Sequence, residues 1–221
     1  MKEDRVRESW RIETSASLQA VLDRPSAPLL LRRMLRGAMP WQTRNEVSVR
    51  RALISARVAP QWVAASLALG ATVTVEEEGE TEETPLEHVL QRKVEGDITT
   101  LNVPLPGPNH RWGEARVART SADEPIVAAV AVLEMDNDIV KEARIALTGV
   151  WPEPSRLAEG AAKLVGGPLD GDYIREVAQA VEEEVLPSGD YLGSAEYRRA
   201  MAGVLTRRAL EACLHQEARY E

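Results

Sequence analysis

RWGEARVARTSADEPIVAAVAVLEMDNDIVKEARIALTGV, from Arg111 to Val150, is the stretch whose reading decides the fold class of this chain. It holds three segments of strand length: RWGEARVART from Arg111, PIVAAVAVLEM from Pro125 and IVKEARIALTGV from Ile139. They are rich in valine, isoleucine and alanine, and Asp136-Asn137-Asp138 is a turn sequence between the second and third. Strands joined by links this short pair as an antiparallel meander, because a parallel pair needs a crossover of a dozen or more residues.

Working outward from that meander, the pattern downstream turns helical. Leu157, Ala161, Leu164 and Val165 share one helical face, and Gly166-Gly167 stops it. Ile174, Val177, Ala178, Val181 and Val185 form a second apolar stripe that ends at Pro187. Ser194 caps a third helix, expected to turn Tyr197, Met201, Val204 and Leu205 inward and Arg207 and Arg208 outward. Such stripes are core, and Glu182 to Glu184 is the outer face of the second helix.

Upstream, Trp10 to Thr14 is a short extended segment, and Ser15 or Ser17 caps LQAVLDR before Pro25. A helix follows at about Pro28 to Leu35. EVSVRRALI is rich in β-branched residues and is expected to be extended; VAASLALG is a short apolar helix that Gly70 ends. ATVTVEEE alternates as a strand does, EEEGETEE is a solvated tip or loop, and Thr84-Pro85-Leu86-Glu87 has the form of a capping box for a helix through Leu90. DITTLNVPL returns as a strand. The stiff PLPGPN stretch, Pro104 to Asn109, sets the expected boundary between a first domain, residues 1–104, and a second, 105–221. The fold class is α+β.

The chain has 221 residues and a net charge of −8, but the charge is unevenly placed. Residues 1–60 carry 12 basic and 6 acidic side chains, a net +6, which leaves −14 for the remainder. A basic front can face nucleic acid, a phosphorylated ligand or an acidic protein, or simply solvent. No apolar run is long enough to cross a bilayer, and the opening MKEDRVRESWR is charged rather than a signal peptide, so a cytoplasmic protein is expected. Cys213, the one cysteine, rules out an internal disulfide and any cysteine-ligated zinc or iron-sulfur centre built by this chain alone. His88, His110 and His215 have no metal-ligand spacing, no serine sits in a nucleophile elbow and no carboxylate pair is flagged, so no catalytic residue is assigned. Most of the five tryptophans are expected in the core, with one or two left to mark an interface.

One stretch raises a question of chemistry: RNEVSVRRALISARVAP, Arg44 to Pro60, lies where a nucleotide-binding turn would sit before a helix. Such a turn wants glycine, so that backbone N–H groups can approach a phosphate without a Cβ. The two positions are Arg50 and Arg51.

Set beside RVARTSADEPIVAAVAVLEM, EARIALTGVWPEPSRLAEGAAKLVGGPLD and GSAEYRRAMAGVLTRRALEAC, that stretch acquires a context. Those three segments resemble, in order, the C-terminal domain of the FAD-binding medium subunit of molybdenum hydroxylases, the group of aerobic carbon monoxide dehydrogenase and xanthine dehydrogenase. The front half is similar more loosely, through QTRN at Gln42 to Asn45 and SLALGATVTV. The resemblance implies a flavin-binding α/β subdomain ahead of the C-terminal domain of three antiparallel strands and three helices. It also implies a subunit that takes electrons from an iron-sulfur partner onto FAD, with molybdenum held elsewhere.

Relatives hold FAD through a glycine-rich loop in a leading module and a second loop, Thr-Ile-Gly-Gly-Asn, after the Arg-Asn phrase. By this comparison the chain begins after the leading module, and its second loop has become Ser48-Val49-Arg50-Arg51-Ala52. Arg44 and Asn45 keep the register, Trp112 and Arg116 partly match an aromatic and a lysine near the flavin, and Pro60-Gln61 replaces Ser-Asp. Arginine brings charge but not glycine's geometry, and on a strand Arg50 and Arg51 would point to opposite faces.

The leading expectation is a degenerate relative that has lost FAD, is not catalytic alone, and works as a scaffold or interaction subunit with molybdenum-cofactor and iron-sulfur subunits or with its own copies. The alternative keeps FAD-dependent electron transfer through an altered or split site. A third reading, anion or nucleic-acid binding through Arg32, Arg33, Arg36, Arg44, Arg50, Arg51 and Arg57, is set against the overall acidity of the chain.

Overall fold

The computed structural model describes residues 8–91, 95–120 and 123–216. Two antiparallel sheets organise it. The first is built from β1 (Ser9–Glu13), β2 (Thr72–Glu77), β3 (Glu80–Pro85) and β4 (Asp97–Pro104), in the order β1-β4-β2-β3. The second runs in sequence: β5 (His110–Val117), β6 (Val127–Asp136), β7 (Ile139–Thr148) and β8 (Ser155–Leu157). Five helices lie between β1 and β2: α1 (Leu18–Asp23), α2 (Leu29–Ala38), α3 (Trp41–Glu46), α4 (Val49–Ser55) and α5 (Pro60–Ala68). The short α6 (Leu86–Leu90) follows β3, and a 3-10 helix (Glu159–Leu164), α7 (Gly171–Glu184) and α8 (Ala195–Leu214) complete the chain.

The meander is antiparallel throughout, as its short links require. VAAVAVLEM in β6 lacks polar alternation because both faces of the strand are covered. Val130 and Val132 join the core of the first half, while Ala129, Ala131 and Leu133 join that of the second. Helix α5 is buried from Gln61 to Ala68 and touches α2 as well as β6, β7 and β8, so it is apolar all round rather than on one stripe. On the other side of the sheet, Gly113 in β5 lets α8 come close: a Cβ there would lie 2.0 Å from the Ala209 carbonyl oxygen.

Several expectations are corrected. EVSVRRALI is helical, not extended. Ser48 accepts a hydrogen bond from the Arg51 N–H at 3.2 Å and so caps α4, and Val49, Ala52 and Leu53 are buried at helical spacing. A satisfied cap and an apolar stripe outweigh the β preference of the valines. The Thr84 capping box does not form, although its helix does. Thr84 stays in β3 opposite Val73, and its hydroxyl meets His88 Nδ1 at 3.3 Å, while the Leu86 N–H is taken by the Ala71 carbonyl.

The C-terminal sheet gains β8, which contains Leu157, and the first of the three helices is a 3-10 turn with Val165 exposed beyond it. In α8 the inward face is Arg198, Ala202, Leu205, Thr206, Ala209 and Cys213, so Leu205 alone of the four expected residues is fully buried. The phase shifts because the small residues allow contact with Gly113, and because buried Arg198 donates to the carbonyls of Ile126 (2.7 Å) and Gly149 (2.9 Å) and to Asp190. Trp10, Trp62 and Trp151 are core residues, Trp112 is half-buried and Trp41 is exposed.

Candidate functional site

The start of α4 is where the sequence places its chemistry. Ser48 has extended backbone angles and α4 begins at Val49, so the first-turn N–H groups stand at a helix N-terminus, the arrangement that suits a phosphate. Here those donors are already used. Val49 N–H bonds the Ala16 carbonyl and Arg50 N–H the Thr14 carbonyl, both at 2.8 Å, and Arg51 N–H bonds the Ser48 hydroxyl. Ala52 N–H closes onto the Ser48 carbonyl at 3.0 Å. The segment after β1 therefore lies against the α4 start in the position a ligand would take.

Side-chain charge points the same way. Arg50 forms an ion pair with Asp97 of β4. The open concavity beside it is lined by Glu13, Glu76, Glu77, Glu78 and Asp97, with Arg50 as its only cation among the described residues. An acidic rim of this kind repels a diphosphate. Arg51 is exposed on the next helical position, about 100° round the axis rather than on an opposite strand face.

The other residues singled out by sequence are brought to different places. Arg44 turns inward as a brace: its Nε donates to Gln19 Oε1 at 2.9 Å, and its Nη1 to the Leu35 carbonyl at 3.4 Å and to the Met39 carbonyl. Asn45 donates to the Trp41 carbonyl within α3. Trp112 and Arg116 lie on one face of β5 with Glu114 between them, in the second sheet, whereas α4 packs on β4, α5 and α6. Arg33 of α2 lies over the Trp112 ring at 5.7 Å and pairs with Glu114 at 3.0 Å. Asp97 and the Thr14 and Ala16 carbonyls decide the character of the α4 start, and sequence reasoning missed them because they are 47 and about 35 positions away from Arg50.

Of the seven arginines named for anion or nucleic-acid binding, Arg32 also bonds the Leu22 carbonyl at 3.3 Å. Much of that charge is thus spent within the fold. Among the described residues no cluster of three or more His, Cys, Asp and Glu is placed to hold a metal ion, and no helix is long and apolar enough to cross a membrane. Cys213 is fully buried, and burial pushes its thiol pKa well above the usual range.

Comparison with known proteins bears on this geometry. Residues 115–213 match the CO dehydrogenase flavoprotein C-terminal domain. The carbon monoxide dehydrogenase medium chain of Afipia carboxidovorans is 34% identical over 114 residues, 52% of this chain and 40% of that one. The caffeine dehydrogenase subunit beta of a Pseudomonas species is 28% identical over 165 residues, 72% of this chain and 56% of the relative, so similarity reaches into the front half. The matched part thus spans less than two thirds of either relative. In fold, the chain is similar to a solved carbon monoxide dehydrogenase from Hydrogenophaga pseudoflava, with a TM-score of 0.82 over 93% of this chain and 75% of that one, at 22% identity.

Proposed function

The chain is a relative of the FAD-binding medium subunits of the molybdenum hydroxylase family, and from that premise we propose that it is a medium-subunit frame that does not hold FAD. It serves as a scaffold or interaction subunit beside molybdenum-cofactor and iron-sulfur chains, or with its own copies. The observation that carries this reading is the occupied N-terminus of α4. Where the family resemblance asks for glycine N–H groups free to bind phosphate, Val49, Arg50 and Arg51 have their N–H groups bonded to Ala16, Thr14 and Ser48.

The residues present do not fit the diphosphate of FAD. A charge-assisted hydrogen bond contributes on the order of 1.5–3 kcal/mol, so three lost donors remove many orders of magnitude in affinity. Five carboxylates around Arg50 add repulsion. The Trp112 ring, partly matching the family's aromatic near the flavin, is already covered by Arg33.

The test is a flavin spectrum of the purified chain after incubation with FAD, repeated after co-expression with molybdenum and iron-sulfur subunits. No flavin in either sample is the expected result. Stoichiometric flavin on the chain alone overturns the reading, and flavin gained only in the complex favours a site split between chains. Nucleic-acid binding is the weaker third reading, since Arg32, Arg33, Arg44 and Arg50 are engaged within the fold; salt-independent failure to retain the protein on DNA or RNA disposes of it.

A further inference from the structure

A second feature lies away from the α4 start, where the N-terminus of α5 opens on a cavity of about 130 Å³. Its wall is largely apolar, from Met34, Leu35 and Met39 of the α2 region and Val58 and Trp62 on the α5 side. Three polar features break that wall. Ala59 at the α5 cap has no side-chain acceptor, so the first turn of this nine-residue helix is uncapped, and the Ser155 hydroxyl fixes its first residue by bonding the Pro60 carbonyl at 2.9 Å. Gln61 lines the cavity while only 5% exposed, and no hydrogen bond joins its carboxamide to any described residue. Glu124 stands at the same cavity, where desolvation raises its carboxyl pKa.

A carboxamide only 5% exposed and without a protein partner meets just the solvent that the cavity admits, and it offers one acceptor beside two donors. Its complement is another amide edge. The volume selects a single six-membered ring, since a dry cavity of about 150 Å³ takes benzene. A carboxyl at the wall disfavours anions, and a helix N-terminus favours a carbonyl oxygen.

We propose that this cavity binds a small uncharged cyclic amide, its ring against the Met34, Leu35 and Trp62 wall and its amide edge paired with Gln61.

The test titrates the full chain with 2-pyridone, with benzene and benzoate as ring-sized controls, by saturation-transfer NMR and calorimetry. The pyridone is expected to bind in the high-micromolar to millimolar range proper to so small a ligand, and benzene and benzoate at least about tenfold more weakly. Gln61→Leu preserves volume but removes both hydrogen bonds, and is expected to weaken pyridone binding by about thirtyfold. Thr43→Trp fills the cavity from its less buried wall and is expected to abolish binding, which keeps the test decisive should Gln61→Leu lose its fold in thermal unfolding. Equal binding of pyridone and benzene, stronger binding of benzoate, undiminished binding by a folded Gln61→Leu, or no binding to the unaltered chain at millimolar pyridone each overturns the proposal. FAD is scored by its own visible absorbance in a separate titration, so the outcome is independent of the α4 reading.

Discussion

Restoring the two glycines should not restore a phosphate site. In the variant Arg50→Gly/Arg51→Gly the Cβ atoms are gone, yet the Val49 and Arg50 N–H groups still face the Ala16 and Thr14 carbonyls at 2.8 Å. For a phosphate to take those donors, both carbonyls must lose their partners, and Thr14 is only 3% exposed. Each stranded carbonyl costs about 1–3 kcal/mol, so the exchange costs about 2–6 kcal/mol, or a factor of about 30 to 10⁴ in affinity. The variant also loses the one cation that the described residues place in a concavity of five carboxylates. Its stability should fall by about 2 kcal/mol from two glycines in a helix; the exposed Arg50–Asp97 pair adds little. Gel filtration after incubation with FAD, with the flavin spectrum read across the protein peak, gives the answer, and urea unfolding checks the stability term. Stoichiometric flavin in the glycine variant refutes the argument: it would mean that the side chains alone closed the loop and that the internal hydrogen bonds yield freely.

Other outcomes follow from the packing. Gly113→Val forces β5 and α8 apart, because its Cβ would lie 2.0 Å from a backbone oxygen that cannot rotate away; the loss should reach or exceed the top of the about 1–3 kcal/mol range of overpacking, and an unchanged urea midpoint would contradict it. Arg198→Met strands the Ile126 and Gly149 carbonyls, each bonded now by a charged donor, at about 1.5–3 kcal/mol apiece. The same variant should alter the acid limb of stability. Hydrogen bonding from Arg198 holds the Asp190 carboxyl below its usual pKa, so this contribution is fully present above the unfolded value of about 3.9 and is lost as pH falls through the folded one. Urea midpoints across that window should therefore fall less steeply in the variant than in the parent. Cys213, with its thiol fully buried and its pKa raised, should resist a thiol reagent in the native chain and react once urea unfolds it; rapid native-state reaction would mean that α8 opens locally.

How much of this was legible beforehand depends on whether the deciding contacts are local. The meander, the Ser17 and Ser194 caps, and the helices around Ile174–Val181 rest on period, turn residues and caps, all readable within a window of a dozen residues. The segment Val47–Ser55 went the other way because its β-branched composition favours a strand, whereas the Ser48 cap and the burial of Val49, Ala52 and Leu53, set by the fold, decide for a helix. The α8 phase failed for a different reason. A pattern of hydrophobic residues marks Tyr197 and Val204 as inward, whereas the actual interface is made of small residues opposite Gly113 and a charged Arg198 needed by two distant carbonyls. No reading of hydrophobicity assigns an arginine to the core unless the groups it satisfies are known.

The candidate site shows the same limit more sharply. Arginines in place of glycines are visible in the sequence, and alone they suggest only that the approach to a phosphate is crowded. Whether a crowded loop can still bind depends on what its N–H groups are doing, and that is set by residues 14 and 16 folding back from β1 to meet residues 49 and 50. Once those bonds exist, the side chains at 50 and 51 are a secondary obstacle, because a glycine there would leave the donors occupied. The arginines are then better understood as tolerated than as causal: Arg50 is held by Asp97, Arg51 lies at the surface, and neither has to yield to a ligand. On this account, repair of the loop requires displacing the segment that follows β1. A variant lacking residues 14–16, and with them the two accepting carbonyls, should therefore shift flavin affinity more than any substitution at Arg50 or Arg51.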